Sequence, residues 1–410
     1  MPSVSAYQIR GMFRSTGRFA SKVNWPIVLA IALLCGAGLV TIHEYAQVST
    51  QLPDNAALRQ GVYLVVAVGL LVVLQLFNYQ LLSRAAWLLY ALSFVPVLYT
   101  VVGSTIGGPN PLPGVANRNG AYNWIAFGGA SIQPAELMKI AFILALSRYL
   151  RFRENHRKLP GLLVSFALCM GPVLLILKQP DLGTALVFLP TLLAMLYAAG
   201  AKLRHMLVVI VLGVLMMPVV WLSGQDHVPV LRNFPELMKK YQRDRVAALF
   251  DNSLETRRNE GYQQYMAVVA FGSGGTWGKG LGEIPVGQQV PEGHNDMIFA
   301  LIGEQFGLVG AVAVVLCYLV IFVAGLEVAG ATKEPFGRLV AVGLVSILAA
   351  QTFLNIGVAI RLFPVTGVTL PFVSAGGSSL IASFIAAGLL LNIGRNRPLV
   401  MARDSFEFGD

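Results

Sequence analysis

The sequence predicts an all-α integral membrane protein with ten transmembrane helices and a large extracytoplasmic loop between helices seven and eight. Three observations predict it. Hydrophobic residues fill 56% of the 410 positions and charged residues only 12%, whereas about a quarter of a soluble domain is charged. Ten separate apolar runs approach the roughly 20 helical residues that span about 30 Å of hydrocarbon. Lysine and arginine are also shared unevenly between the connections, in the alternating pattern that fixes membrane orientation.

The runs cover residues 25–43, 61–79, 85–103, 133–150, 160–177, 182–199, 205–223, 296–326, 337–360 and 371–394. Residues 1–24 hold Arg10, Arg14, Arg18 and Lys22 and no acid, which imitates a secretory leader. Nine further spans and no convincing cleavage site make 25–43 a first membrane helix. With 1–24 and 398–410 as cytoplasmic tails around a membrane domain at 25–397, the tails and even-numbered connections, together with the adjoining span ends, carry seventeen Lys and Arg. The short connections on the other side hold only Arg59, Arg118, Lys178 and Arg361. Both termini are therefore expected inside. The formal charge of +10 is explained by this asymmetry and implies no nucleic-acid partner. Cys35, Cys169 and Cys317 all fall within apolar runs and read as small packing residues, not as a disulfide or zinc set.

Span four opens "SIQPAELMKIAF". Pro134 suits a first helical turn, and Gln133, Glu136 and Lys139 follow at intervals of three, which places them on one face. An ammonium two turns into a span needs a partner or a polar cavity. Two readings of Lys139 stand: an ion pair with Glu136, or a pair across a cavity with Asp296 that keeps that carboxylate ionised. Span six opens "KQPDLGTALV", where Asp181 is a natural N-cap.

Residues 224–295 form a polar insertion of about seventy residues, a length usually associated with function or disorder. Within it, "NFPELMKKYQRDRVAALF" (233–250) mixes basic and apolar positions at helical spacing, as a surface helix at the headgroup level would. "AFGSGGTWGKGLG" places six glycines in thirteen residues, which permits positive φ or close backbone approach. It matches no nucleotide-binding spacing.

A helix from Asp296 to Leu326 would be about 45 Å long, longer than the bilayer core. Counting about twenty residues back from the cytoplasmic end reaches Gly307. "PEGHNDMIFALIGEQFG" therefore puts His294, Asp296 and Glu304 at or above the outer interface. Asp296 alone would read as a helix cap and His294 as a positioning residue. Finally, "FPVTGVTLPFVSAGGSSL" (363–380) combines Pro364, Gly367, Pro371, Gly376 and Gly377 with Ser374, Ser378 and Ser379. Irregular backbone at that depth has to be covered by protein or water, so it is expected to line a cavity wall.

Taken in order, "NWIAFGGASIQPAELMK", "KQPDLGTALV", "YQRDR", "GYQQYMAVVAFGSGGTWGKGLG", "VPEGHNDMIFALIGEQFG" and "FPVTGVTLPFVSAGGSS" resemble the SEDS family. Its members (RodA, FtsW, SpoVE) are bacterial membrane glycosyltransferases that polymerise peptidoglycan from lipid II. The resemblance covers residues 25–397 and implies the ten-helix SEDS fold with a large loop after helix seven. The family's catalytic motif, His-Thr-Asp-Phe, stands here as His294-Asn295-Asp296-Met297, and its Gln-Pro-x-Glu-x-x-Lys segment matches Gln133, Pro134, Glu136 and Lys139. Its Glu-Glu pair reads Glu304-Gln305. Two positions depart: the arginine that commonly precedes the tryptophan of the span-four motif is Asn123, with Arg118 as a nearby substitute, and the tyrosine often found before the Gly-Gly pair is Ala375.

The resemblance implies an inverting glycosyl transfer at the outer face of the cytoplasmic membrane. Asp296 would act as general base toward the acceptor hydroxyl, or would place a divalent cation (Mg or Mn) that activates it. Lys139, Arg243, Arg245 and Lys279 are the candidates to stabilise the departing pyrophosphate. Gln133, Glu136, His294, Glu304, Ser374 and Ser378 complete the expected substrate-binding set. No organic cofactor is implied. The implied partners are lipid II, a class B penicillin-binding protein that crosslinks the strands, and elongasome or divisome proteins. "YQRDR" and "SGGTWGKG" lean toward the elongation branch and "IGEQFG" toward the division branch. The alternative is a lipid II flippase using the same cavity without bond formation, although transporter sites usually lie nearer the midplane.

Overall fold

The computed structural model describes residues 23–396 apart from 51, 54, 107–111, 119–120, 128–129, 154–158, 224–239, 252, 254–255, 257–258 and 260. The two expected tails thus lie almost wholly outside the described residues, as does 233–239 of the surface-helix segment.

The chain is predominantly helical, in the order α1 (Trp25–Val48), α2 (Ala56–Leu76), α3 (Gln80–Ile106), α4 (Pro134–Leu150), α5 (Leu159–Lys178), α6 (Leu182–Leu186), α7 (Phe188–Ala198), α8 (Leu203–Leu222), α9 (Lys240–Phe250), α10 (Tyr262–Ser273), α11 (Ile298–Ala331), α12 (Pro335–Ala359) and α13 (Gly377–Asn396). Among the described residues, eight helices are long and apolar enough to cross a membrane: α1, α2, α3, α5, α8, α11, α12 and α13. The other two expected spans appear as shorter helices. Span four is α4, seventeen residues that carry Glu136, Lys139 and Arg148. Span six is interrupted between α6 and α7.

Burial follows from these differences. All residues of α4 are buried except Leu137 and Arg148, because neighbouring helices enclose a segment too charged to face lipid. It packs against α3, α12 and α13. α12 and α13 form the most enclosed part of the bundle, whereas α2 and α8 leave most of their length exposed, as lipid-facing helices do.

The chain is helical as expected, with one element that the sequence reading did not anticipate. A three-stranded antiparallel sheet, β1 (Val115–Arg118), β2 (Ala121–Phe127) and β3 (Ala130–Ile132), lies between α3 and α4 in the order β1-β2-β3. Ala126 pairs with Ser131 and Ala116 with Trp124. Asn119-Gly120 and Gly128-Gly129 are two-residue hairpin signals between those strands. The sheet ends directly at the Gln133-Pro134 start of α4 and so fixes where that helix begins.

The long α11 is broken at Gly307. Gly307 has φ 64° and ψ −165° inside the helix, and the amides of Leu308 and Val309 turn to the carbonyls of Gly275 and Thr276. The amides of Lys279 and Gly280 bond the carbonyls of Glu304 and Gln305 in return. The glycine-rich run therefore wraps around the break and supplies its missing hydrogen bonds. A Cβ on Gly278 would lie 2.1 Å from the Gln305 carbonyl oxygen. The close approach permitted by these glycines is to α11.

The fixed backbone on both sides of this contact, with φ +82° at Gly278, makes the substitution Gly278→Ala destabilising. We expect a loss of about 2 kcal/mol or more, read as a lower thermal midpoint in detergent. The same change at Gly275, where nothing lies within 4 Å of an added Cβ, should cost distinctly less.

Candidate functional site

Asp296 sits in a turn immediately before α11, and the turn is held almost entirely by its backbone. The amides of Asn295 and Asp296 bond the Glu292 carbonyl at 3.0 and 3.2 Å. Asn355 of α12 donates Nδ2 to the Asp296 carbonyl at 2.9 Å and to that of Val368 at 2.7 Å. Ser374 Oγ donates to the Asn295 carbonyl at 2.6 Å and accepts from the Leu370 amide at 2.8 Å. The Ala375 amide bonds the His294 carbonyl at 3.0 Å. Gln60 of α2 closes the frame, donating to the Ser374 carbonyl and accepting from the Gly376 amide. The irregular 363–380 segment is thus a brace, and the Asp296 carboxylate itself stays available for chemistry.

The residue is half-buried. A Cβ built on Gly367, at φ +75°, would lie 3.7 Å from its Oδ2. Burial raises its pKa to about 7, the Glu292 and Asp181 charges push the same way, and Arg245 opposes them. Near neutral pH the group therefore exchanges protons readily, as a general base must.

His294 lies beside it, stacked on Tyr45 of α1 at 5.8 Å between ring centroids and 3.7 Å from Glu292 Oε2. Burial pulls the imidazole below its ordinary pKa while Glu292 opposes the shift. Tyr45 in turn donates to the Val290 carbonyl at 3.0 Å. Glu292 adopts φ 50°, a costly conformation for a residue with a side chain and one that recurs at functional sites.

Asp181 lies within electrostatic reach of Asp296. It caps α6, Oδ1 accepting from the Thr184 amide at 3.0 Å, as expected. Its Oδ2 accepts from Gln133 Nε2 at 2.8 Å and from Asn123 Nδ2 at 3.0 Å. The position that departs from the family's arginine thus touches Asp181 through a neutral amide. The side chain of Arg118 lies outside the described residues.

The remaining expected residues divide clearly. Lys139 Nζ bonds Glu136 Oε1 at 2.7 Å, both buried, so the pair within α4 forms in place of the pairing with Asp296. Glu304 is fully buried and accepts from Lys279 Nζ at 2.6 Å, Ser273 Oγ at 3.1 Å, and the amides of Val286 and Gly287 at 3.2 and 2.6 Å. Glu304 and Lys279 therefore anchor the glycine-rich run and the turn that follows it. Ser378 accepts from the Gln133 amide at 3.0 Å and donates to the Ser131 carbonyl at 3.2 Å, fixing the start of α4. Arg243 donates to the Ser223 carbonyl and Arg245 to the Val365 carbonyl, each at 3.3 Å. Both come from α9, a helix within the 233–250 segment expected to be helical.

A polar cleft of about 340 Å³, lined by Asp244, Arg245, Asn259, Tyr262, Gln263, Pro291 and Val365, opens beside this turn. Glu292, Asn355 and Gln60 were not singled out from the sequence. Each carried a signal: Glu292 is a carboxylate within the same opening motif, and the other two are amides at the edge of or inside apolar runs.

Comparison with known proteins matches residues 25–398 to the family described as Cell cycle protein, which groups FtsW, RodA and SpoVE. The probable peptidoglycan glycosyltransferase FtsW of Geobacter sulfurreducens is 33% identical over 381 residues, 90% of this chain and 93% of that protein. Stage V sporulation protein E of Bacillus subtilis is 31% identical over 382 residues, 90% and 96% of the two chains. Among solved structures, a chain from a peptidoglycan synthase complex that couples polymerisation and crosslinking aligns at TM-score 0.73 with 29% identity, covering 92% of this chain and 98% of that one. The rod shape determining protein RodA of Thermus thermophilus aligns at 0.62 with 26% identity, covering 92% and 97%.

The electrostatics predict a specific titration. By difference infrared spectroscopy with Asp296→Asn as reference, the Asp296 carboxyl should lose its proton with a midpoint near pH 7. Replacement of the neighbouring charge in Glu292→Gln should lower that midpoint, since removing a nearby anion favours ionisation.

Proposed function

The chain belongs to the FtsW, RodA and SpoVE family, and from that membership we propose that it is a peptidoglycan glycosyltransferase that polymerises lipid II at Asp296. The observation that carries the reading is the Asp296 carboxyl, left out of the hydrogen bonds that hold its turn, raised to about 7 by burial and within the electrostatic reach of Arg245. As the acceptor's GlcNAc 4-hydroxyl attacks the donor's MurNAc anomeric carbon, its proton passes to the Asp296 carboxylate. The new C–O bond forms as the bond to the pyrophosphate breaks, and the leaving group takes that electron pair. Attack opposite the leaving group turns an α-linked donor into a β-linked glycan.

Arg245, whose charge acts on Asp296, is the cation best placed to receive the pyrophosphate, and Arg243, two positions before it, points to the opposite face of the same helix. Asn355, Ser374 and the Ala375 amide hold the reacting turn without using the Asp296 side chain. Electrostatic stabilisation of this kind depends on such preorganisation.

A divalent cation fits one mode. Among the described residues no group of three or more His, Cys, Asp or Glu is disposed to hold a metal, but Mg²⁺ is commonly bound by one or two carboxylates together with substrate phosphates. Asp296 would be the protein ligand, and the ion when bound would make the acceptor hydroxyl more acidic.

In the topology we propose, the eight long helices with α4 and the α6–α7 pair make ten spans. The termini are cytoplasmic, and the loop 224–295 carries α9 and α10 on the outer face. A class B penicillin-binding protein of an elongation or division assembly is the proposed partner, in keeping with the synthase complex to which the fold aligns. The flippase alternative finds no support in relatives named as glycosyltransferases.

The test uses purified protein and labelled lipid II in detergent. Wild type should build glycan chains, and Asp296→Asn should reduce their rate by about 10²-fold or more while retaining the thermal midpoint. If that variant polymerises normally and lipid translocation fails instead, the transporter reading replaces this one.

A further inference from the structure

The two faces of α9 border two different hollows. On one side lies the polar cleft with Arg245. On the other is an open, mostly apolar hollow of about 590 Å³ lined by Trp221, Val246, Ala247, Phe250 and Asp251, within the size range of small-ligand sites. Arg245 and Ala247 are two positions apart and so point about 200° from each other around the helix. A single short helix thus separates a cation near the reacting carboxylate from an apolar trough at the membrane edge.

We infer that this hollow seats the isoprenoid chain of the pyrophosphate-linked substrate, with Val246, Ala247 and Phe250 from above and Trp221 from the end of α8 as its apolar contacts. The inference rests on the lipid-linked donor proposed above and assigns a separate place to its tail. Three features favour this occupant over an ordinary membrane lipid. Arg243, one helical turn before Ala247, bonds the Ser223 carbonyl two residues beyond Trp221, which places a cation at the rim where a phosphate would follow the hydrocarbon. The helix over the hollow is pinned, since Arg361 Nη2 donates to the carbonyls of Ala248, Leu249 and Asp251 and Arg245 donates to that of Val365. The wall beneath it, α8, exposes Ile210, Val214 and Met217 along the face that carries Trp221, so a chain many isoprene units long can run from the hollow into the bilayer. An isoprenoid pyrophosphate is the amphiphile that matches both faces of α9.

The test compares inhibition of the full-length protein by undecaprenyl pyrophosphate and by inorganic pyrophosphate. Ala247→Trp, which fills the hollow, should raise the inhibition constant of undecaprenyl pyrophosphate about tenfold and leave that of inorganic pyrophosphate nearly unchanged. Phe250→Ala, which removes one apolar wall without adding bulk, should act in the same direction more weakly. Equal effects on the two inhibitors, or no effect of either variant on undecaprenyl pyrophosphate, would overturn the inference. A photoreactive undecaprenyl pyrophosphate reads binding independently of polymerisation. It should label the peptides containing Trp221 and Phe250, and unlabelled undecaprenyl pyrophosphate should displace it where excess phosphatidylglycerol does not. Equal displacement by phosphatidylglycerol, or labelling elsewhere, would make the hollow a bulk-lipid groove and sink the proposal. Absence of polymer from wild type, with labelling intact, would instead count against the glycosyltransferase reading.

Discussion

A carboxylate at the edge of a hydrocarbon layer has to be oriented without being neutralised. This chain meets that constraint by holding the Asp296 turn through main-chain atoms. Asn355, Ser374 and the Ala375 amide all bond carbonyls of residues 294–296, so the side-chain oxygens are not consumed by the scaffold. An ion pair at the same place would have positioned the group as firmly but lowered its pKa. Burial together with the charges of Glu292 and Asp181 does the opposite and leaves the group near neutrality.

The rest of the fold serves this arrangement. Braces come from α2 through Gln60, from α12 through Asn355 and from the irregular segment before α13. Each is a distant part of the sequence, with Gln60 and Ser374 separated by 314 positions. The glycine-rich run covers the backbone opened by the break at Gly307. Glu304 then ties that run to the following turn through four donors. Two buried carboxylates, Glu136 and Glu304, take up lysines, and Arg245 of α9 is the cation whose charge acts on the reacting group.

Much of this was legible because desolvation leaves strong marks in a sequence. Apolar runs locate the helices, and the length of run eight against bilayer thickness puts the outer interface near Gly307, where the structure breaks the helix. Asp181 was readable as a cap and 240–250 as a surface helix from local spacing alone. The sheet at 115–132 was missed although Asn119-Gly120 and Gly128-Gly129 mark its turns, because three short strands between membrane spans have little alternation to display. The partners of Lys139 and Lys279 were a different problem. Glu136 and Asp296 were both chemically suitable for Lys139, and only the enclosed packing of α4 selects the local pair. Lys279 meets Glu304 because the glycine-rich run folds back on α11, a contact across 25 positions that no spacing rule announces.

The central claim is that one near-neutral carboxyl takes the acceptor's proton. Its most direct test is the rate of glycan elongation at saturating lipid II, measured from about pH 5 to 8. The account predicts a rate that rises with pH through a single inflection near 7, as Asp296 becomes ionised. A rate that stays flat across that range, or falls as pH rises through 7, would contradict it.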